Sequence, residues 1–289
     1  MKNVENSFIL RTCKRELILG NRTQIMGILN VTPDSFSDDG CFKSPDEAIE
    51  SAVRMVSEGA DIIDVGGESS RPGAEAVSIE EELERVIPVI KGIVRRVDVP
   101  VSVDTTKAKV AREAVKSGAE IINDISAMRF DDQMPAVVAD TGAAVVLMHM
   151  RGTPDNMQEG DLTYRFLLAD IISFLVDRME AAQSAGIEFE RIMIDPGIGF
   201  GKSAEDNLKL LKHLSAFSTL GRPIITGASR KSFIGKVTGG DPRDRIEGTA
   251  VAVTAAIMNG GHVVRVHDVG SMKKVVAMAD AIVRAGNGI

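Results

Sequence analysis

Eight short apolar runs recur along this chain, and none of them alternates apolar with polar residues. They are Ile25–Leu29, Ile62–Val65, Val99–Val103, Ile121–Ile122, Ala143–Met148, Arg191–Ile194, Pro223–Thr226 and His262–Val266. A strand with one wet face reads apolar-polar-apolar, whereas an unbroken run marks a strand covered on both faces, as in a parallel sheet wrapped by helices. The segments between have helical periodicity. In 44–58, for example, Ala48, Ile49, Ala52, Val53, Met55 and Val56 fall on one stripe, and Pro45 sits at the start, where a missing N–H costs nothing. Small-residue turns at 58–60, 117–119, 141–143, 185–187 and 259–261 each carry a glycine able to take the left-handed conformation that ends a helix. Eight strand–helix units predict an α/β fold, a closed (β/α)8 TIM barrel in preference to an open doubly wound sheet. Residues 7–21, two apolar stretches around a charged turn, predict an N-terminal β-hairpin that plugs the barrel bottom.

The chain has 289 residues, 44% of them hydrophobic, which suits one barrel domain over 1–289. A net charge of -7 offers no general footprint for nucleic acid or anionic lipid, so an anionic ligand must be held by local cations. Charged residues Lys2, Glu5, Arg11, Lys14 and Arg15 interrupt the N-terminal stretch, and no run approaches the roughly 18 apolar residues of a membrane span. Cys13 and Cys41 lack metal-ligand spacing and read as free thiols in a reducing compartment, so the expected location is cytoplasmic.

In a barrel, residues ending the strands converge on one mouth, which hosts the chemistry. Here they are Asn30, Asp64, Asp104, Asn123, His149 with Arg151, Asp195, Gly227 to Lys231, and Arg265 with His267. Taken singly, each reads as a turn residue or helix cap; in succession around one rim they read as a site. Asp104, Asn123 and Asp195 can pair with the donor edge of a flat, amidine-like heterocycle of purine or pterin size. Arg265 and His267, two apart on the last strand, point the same way and, with Arg71, can cradle a diphosphate. The glycine-rich stretch 195–202 lacks the spacing of a nucleotide P-loop or a dinucleotide fold, and reads as backbone approaching a ligand beside an apolar wall, Phe200. The stretch 227–233 leads into a short helix whose N-terminus suits an anion. No zinc motif and no nucleophile–base arrangement stands out. Asn30 fits magnesium, which keeps several waters and bridges substrate phosphates. His213 reads as a surface residue.

Four strings go further: Asn30-Val-Thr-Pro-Asp-Ser-Phe-Ser37, Asp64-Val-Gly-Gly-Glu-Ser-Ser-Arg-Pro-Gly73, Asp195-Pro-Gly-Ile-Gly-Phe200 and Gly227-Ala-Ser-Arg-Lys-Ser-Phe233. With Ser102-Val-Asp-Thr105, Asn123-Asp-Ile-Ser126, Met148-His-Met-Arg151 and Arg265-Val-His267, the chain resembles the dihydropteroate synthases in family order over 25–268. The resemblance implies a barrel transferase of folate synthesis, a sulfonamide target, that joins a dihydropterin methyl diphosphate to 4-aminobenzoate. It implies that Asn30 holds Mg2+ on the diphosphate, and that Asp104, Asn123, Asp195 and Lys231 line the pterin pocket with Met148 against the pterin face. Arg265, Val266 and His267 would bind the diphosphate, with Ser70 and Arg71 on a closing loop. Phe200, Ser229, Phe36 and Pro72 would shape the aminobenzoate site. Lys231, Asn30, Arg265 and His267 become the candidate catalytic residues, and a homodimer built on the last helices is implied.

Two positions depart from the family pattern: Ser70 stands where threonine is usual, and Asp39 where glycine is frequent. Ser70 keeps the hydroxyl, and both substitutions bear on affinity for aminobenzoate and its sulfonamide analogues. Two alternatives share the pterin edge. A methyltransferase acting on a methylated folate would not need Arg265, His267 or the Ser-Arg-Pro-Gly loop, and a non-catalytic pterin-binding paralogue would not need an intact anion pocket.

Overall fold

The structure is a computed structural model and describes residues 7–32, 44–70, 73, 76–158, 160, 162–241 and 244–285. Phe36, Asp39, Cys41, Arg71 and Pro72, singled out above, lie outside the described residues. The chain opens with an antiparallel hairpin, β1 (Phe8–Arg11) and β2 (Glu16–Leu19), in which Phe8 faces Leu19 and Arg11 faces Glu16. Strands and helices then alternate: β3 (Gln24–Asn30), α1 (Pro45–Glu58), β4 (Ile62–Gly66), α2 (Ile79–Val94), β5 (Val101–Asp104), α3 (Ala108–Ser117), β6 (Ile121–Asp124) and α4 (Met134–Thr141). There follow β7 (Ala144–Met148), α5 (Leu167–Ser184), β8 (Ile192–Asp195), α6 (Ala204–Lys212), β9 (Ile225–Thr226), α7 (Ser232–Thr238), α8 (Ile246–Met258), β10 (Val263–Val266) and α9 (Val269–Arg284).

The ladders are all parallel, in the order β8-β7-β6-β5-β4-β3-β10-β9. The two ends meet through a bridge between Ile194 and Ile224, with Ile194 N donating to Pro223 O at 3.0 Å, so the sheet closes into a barrel and has no open edge. The open doubly wound alternative is thereby excluded.

Why the runs lack alternation is visible in the core. Along each strand, side chains go by turns to two apolar environments. Ile25, Leu29, Ile63, Val65, Val101, Val103, Ile122 and Val145 pack outward under the helices. Met26, Ile62, Ile121, Ala144, Val146, Met193, Ile225 and Val263 fill the barrel interior. Leu10 and Leu19 of the hairpin join this inner cluster, and Thr12 Oγ1 and Arg15 Nε both donate to Glu120 Oε2, at 2.8 and 3.1 Å, tying the hairpin turn to the start of β6. The hairpin closes the N-terminal mouth as expected. The five turn glycines, Gly59, Gly118, Gly142, Gly186 and Gly260, all take positive φ.

Two strands start two residues later than the apolar pattern suggests, for one reason. Pro100 and Pro223 have no N–H to give a ladder, so they serve only as acceptors, from Ile63 N (3.1 Å) and Ile194 N (3.0 Å), and the regular strands begin at Val101 and Ile225. Conversely, Asn30, Asp104 and Asp195 are the last residues of their strands and not residues beyond them, and Asn123 is the last but one of β6. Asn30 pairs with Gly66, Gly66 with Asp104, and Asp104 with Asn123, so these groups occupy one row across four strands.

Candidate active site

The row just described is the top layer of the barrel filling, where inward positions change from apolar to polar. Asp64 sits one step below it on β4 and is fully buried. Its Oδ2 accepts from Asn123 Nδ2 at 3.0 Å and from Arg265 Nε at 2.6 Å, while Arg265 Nη2 donates to Asp104 Oδ2 at 2.7 Å. The guanidinium thus bridges two carboxylates at the centre of the mouth. Burial pushes the Asp104 carboxyl up to about 7, with Arg265 opposing and Asp64 adding to the rise. Burial likewise raises Asp195 to about 6, against the Gly197 N–H that it accepts at 2.7 Å and the nearby cations Lys202, Lys231 and Arg265.

The loop after β8 wraps closely around its neighbours. A Cβ at Gly197, where φ is +70°, would fall 1.9 Å from His149 O, which excludes a side chain there, and at Gly199, where φ is +85° and any side chain is strained, a Cβ would fall 2.9 Å from Lys231 Cδ. That proximity lays Lys231 across the wall: its Nζ is 3.9 Å from the centre of the Phe200 ring. Phe200 packs in turn with Ile125, Met148, Met150 and Met157. Met148 and Phe200 therefore form one apolar wall beside the acidic edge. Beneath the loop Lys202 is buried, its Nζ donating to His149 Nδ1 (3.0 Å), Gly197 O (2.8 Å) and Phe200 O (2.9 Å). Burial lowers Lys202 to about 7 and His149 to about 2, so His149 is a neutral acceptor.

On the opposite side, Ser229 Oγ lies 3.0 Å from His267 Nδ1 and accepts from His267 N at 3.3 Å, joining the β9–α7 loop to the end of β10. Arg230 takes a left-handed backbone, φ 58°, and is clamped by a bidentate pair with Asp268 at 3.0 and 2.6 Å. This clamp fixes the loop that carries Ser229 and Lys231. Arg265 on β10 and His267 just past its end lie two residues apart on the inward side, whereas Val266 between them is buried on the outward side. Ser70 sits half-buried on the β4–α2 connection. Glu68 staples the ends of that connection: its Oε1 accepts from Val77 N at 3.0 Å, and Lys107 Nζ bridges Glu68 Oε2 (2.5 Å) and Glu82 Oε2 (2.6 Å).

For a metal, no group of three or more His, Cys, Asp or Glu residues able to hold one occurs among the described residues. Asn30 offers one neutral oxygen. A Cβ at Gly66 would stand 3.6 Å from Asn30 Oδ1 and 3.9 Å from Asp104 Oδ2, so glycine leaves these two oxygens flanking a shared space. Such sparse protein ligation fits magnesium, which keeps waters and takes substrate phosphate oxygens.

Most expected site residues that are described do meet at this mouth: Asn30, Asp104, Asn123, Met148, Asp195, Phe200, Ser229, Lys231, Arg265 and His267. His149 and Arg151 do not. One position past Met148 the chain turns outward, His149 lying edge-on to the Phe174 ring at 4.9 Å and Arg151 donating to Thr163 O at 2.9 Å, both toward α5 and the segment before it. Val266 is adjacent through its backbone alone. Sequence reasoning missed Lys202, whose one signal was its place at the end of the glycine-rich loop, and it missed the bonds that Asp64 makes.

Comparison with known proteins agrees with this geometry. The model of the family described as pterin binding enzyme matches residues 26–267. The Synechocystis dihydropteroate synthase is 48% identical over 267 residues, 92% of either chain. The Yersinia pestis dihydropteroate synthase, solved with a sulfonamide drug, superposes with a TM-score of 0.91 at 43% identity, over 95% of this chain and 99% of that one. The Xanthomonas albilineans enzyme, solved with 4-aminobenzoic acid, gives 0.89 at 44% identity over 96% and 99%. Its complex with 7,8-dihydropteroate gives 0.85 at 42% identity over the same shares.

Proposed function

The chain belongs to the dihydropteroate synthase branch of the pterin-binding enzymes, and from that premise we propose how its residues divide the reaction. It joins 6-hydroxymethyl-7,8-dihydropterin diphosphate to 4-aminobenzoate and releases 7,8-dihydropteroate and diphosphate. The observation that carries the assignment of roles is the adjacency, at one barrel mouth, of an acceptor edge and a cationic corner. Asp104, Asn123 and Asp195 accept from the donor edge of the pterin, Met148 covers its face, and Lys231 reaches over it from the Phe200 wall. Arg265 and His267, with Ser70 and Arg71 from the β4–α2 connection, hold the diphosphate. Phe200 and Ser229, with Phe36 and Pro72, shape the aminobenzoate site.

The C–O bond at the pterin methylene breaks, its electron pair leaves with the diphosphate, and the electron-rich pterin ring bears the positive charge. The arylamine nitrogen then attacks the methylene and loses a proton. Positioning and preorganised charge are sufficient for such a route, and no enzyme nucleophile is required. Asn30 would hold magnesium, which when bound neutralises charge on the diphosphate oxygens.

Exposed Val237, Val251, Met258, Met278 and Ile282 on α7, α8 and α9 support a homodimer joined through this side. No helix among the described residues is long and apolar enough to cross a membrane, and the exposed free thiol of Cys13 supports a cytoplasmic location. Closure of one barrel by its own hairpin supports a single domain.

The assay is diphosphate release by the purified protein given the dihydropterin diphosphate and magnesium. Release that needs 4-aminobenzoate, yields dihydropteroate and stops in excess EDTA is the expected result. Pterin binding without release would move the chain to a non-catalytic paralogue, and full activity in EDTA would remove the metal from Asn30.

The raised carboxylates also set a pH dependence. With Asp195 near 6 and Asp104 near 7, protons occupy the acceptor edge on acidification, so kcat/KM for the pterin substrate should fall as the pH drops from about 8 to 5. Stability runs the other way. A carboxyl whose folded pKa exceeds its unfolded value of about 3.9 makes the folded state bind more protons between the two, so its contribution to stability declines as pH rises through that window. Relative to wild type, the Tm of Asp195→Asn should therefore rise between about pH 4 and 6 and level off above, and a constant difference would exclude ionisation of this buried group there.

A further inference from the structure

We infer that Asp64 is the positioning residue shared by both halves of the site, turning the Asn123 amide toward the pterin and aiming the Arg265 fork at the diphosphate. The inference rests on the assignment of the pterin and diphosphate pockets given above. Asp64 is fully buried, yet among the described residues its hydrogen bonds go to no backbone group, helix cap or hairpin. Buried acids that serve architecture here are tied to the scaffold: Asp124 accepts from the backbone N–H groups of Ser126 and Met128, and Glu120 secures the hairpin through Thr12 and Arg15. Asp64 instead uses one oxygen for two side chains that face the ligand.

The consequence for Asn123 is a fixed amide. Asp64 Oδ2 already accepts from Arg265 Nε, so the group that meets it at 3.0 Å must be the Asn123 donor Nδ2, and Oδ1 is turned the other way as an acceptor. Without Asp64 the amide could flip and offer a donor to the donor edge of the pterin. The pocket needs three acceptors in a row, Asp104, Asn123 Oδ1 and Asp195, and Asp64 makes the second of them an acceptor.

For Arg265, the Nε side is taken by Asp64 at 2.6 Å and one Nη2 hydrogen by Asp104 at 2.7 Å. A guanidinium is planar, so two anchored corners define the direction of the Nη1 edge that remains for an anion. Asp64 reaches Asn123 and Arg265 from positions 59 and 201 residues away, joining the two pockets through a single atom.

The test uses calorimetry with two partial ligands, 6-hydroxymethylpterin for the pterin pocket and inorganic diphosphate with magnesium for the anion pocket. In Asp64→Asn, both affinities should fall about tenfold, and KM for the pterin substrate should rise about as much or more, while KM for 4-aminobenzoate stays within about twofold. In an Asn123→Ala background the effect on the pterin alcohol should vanish, and in an Arg265→Gln background the effect on diphosphate should vanish, because the route of action is then gone. If Asp64→Asn fails to fold around an unbalanced Arg265, the Asp64→Asn/Arg265→Gln double variant, read against Arg265→Gln alone, still isolates the Asn123 arm. A lowered Tm with both affinities at wild-type values overturns the inference, as does a loss that persists in the Asn123→Ala and Arg265→Gln backgrounds. Wild-type protein that neither binds the pterin alcohol nor turns over substrate would instead defeat the functional assignment itself.

Discussion

Asp195→Asn should bind the dihydropterin diphosphate on the order of 10²–10⁴-fold more weakly than the wild type. The carboxylate is buried at the end of β8 with one oxygen engaged by Gly197 N at 2.7 Å, leaving the other for the ligand. Lys202, Lys231 and Arg265 oppose the burial that would otherwise protonate it. An amide has one acceptor and one donor end. If its oxygen keeps Gly197, its N–H₂ meets the N–H groups of the pterin; if its oxygen serves the pterin, the N–H₂ meets Gly197 N–H. A charge-assisted bond of about 1.5–3 kcal/mol is lost, and a buried donor is left unpaired at about 1–3 kcal/mol more. The two losses together give the range stated. Because the substitution also removes a buried charge, the ligand-free protein should fold at least as well as wild type near pH 8. Loss of affinity with retained Tm would separate a binding role from a structural one, and calorimetry returning the wild-type affinity would remove Asp195 from the site.

The barrel was legible because burial on both faces of each strand writes a strong local pattern. Runs such as Ala143–Met148 carry it, and turn glycines such as Gly118 and Gly142 mark where each unit ends. The polar strand ends were legible for the same reason, since inward positions change character only at the mouth. What escaped was either a matter of one residue's parity or of distance along the chain. His149 follows Met148 directly, and in a strand that single step takes it from the pocket to the helix layer, where it meets Phe174 and Lys202. The delayed starts at Val101 and Ile225 come from prolines whose effect depends on the neighbouring strand that asks for a donor. The bonds of Asp64 join three strands that no periodicity connects. In the sequence Lys202 only ends a glycine-rich stretch. Only the folded loop reveals that carbonyls and a neutral imidazole surround it.

The loop after β6 should prove the weakest point of the pterin wall: Asp124→Ala is expected to cost about 3–5 kcal/mol of stability and lower Tm by roughly 6–12 °C. Asp124 is buried outside the ring of inward residues, and its two oxygens accept from Ser126 N and Oγ at 2.7 Å each and from Met128 N at 2.9 Å. Those bonds hold Ala127 and Met128 in the left-handed region, at φ 53° and 61°, where two successive non-glycine residues cost about 1–2 kcal/mol each. Alanine leaves two buried N–H groups unpaired at about 1–3 kcal/mol apiece, and nothing then offsets the strained pair. The chain should relax, carrying Ile125 away from Met148 and Phe200, so that turnover with the pterin substrate falls along with stability. Ala127→Gly added to Asp124→Ala should recover about 0.5–1 kcal/mol, because glycine reaches the left-handed region that Ala127 occupies without a Cβ penalty and only one methyl group is given up. A structural role confined to packing would not respond to that glycine. An Asp124→Ala protein within about 1 kcal/mol of wild type, or one that glycine fails to rescue, would mean that the loop holds its shape without the carboxylate.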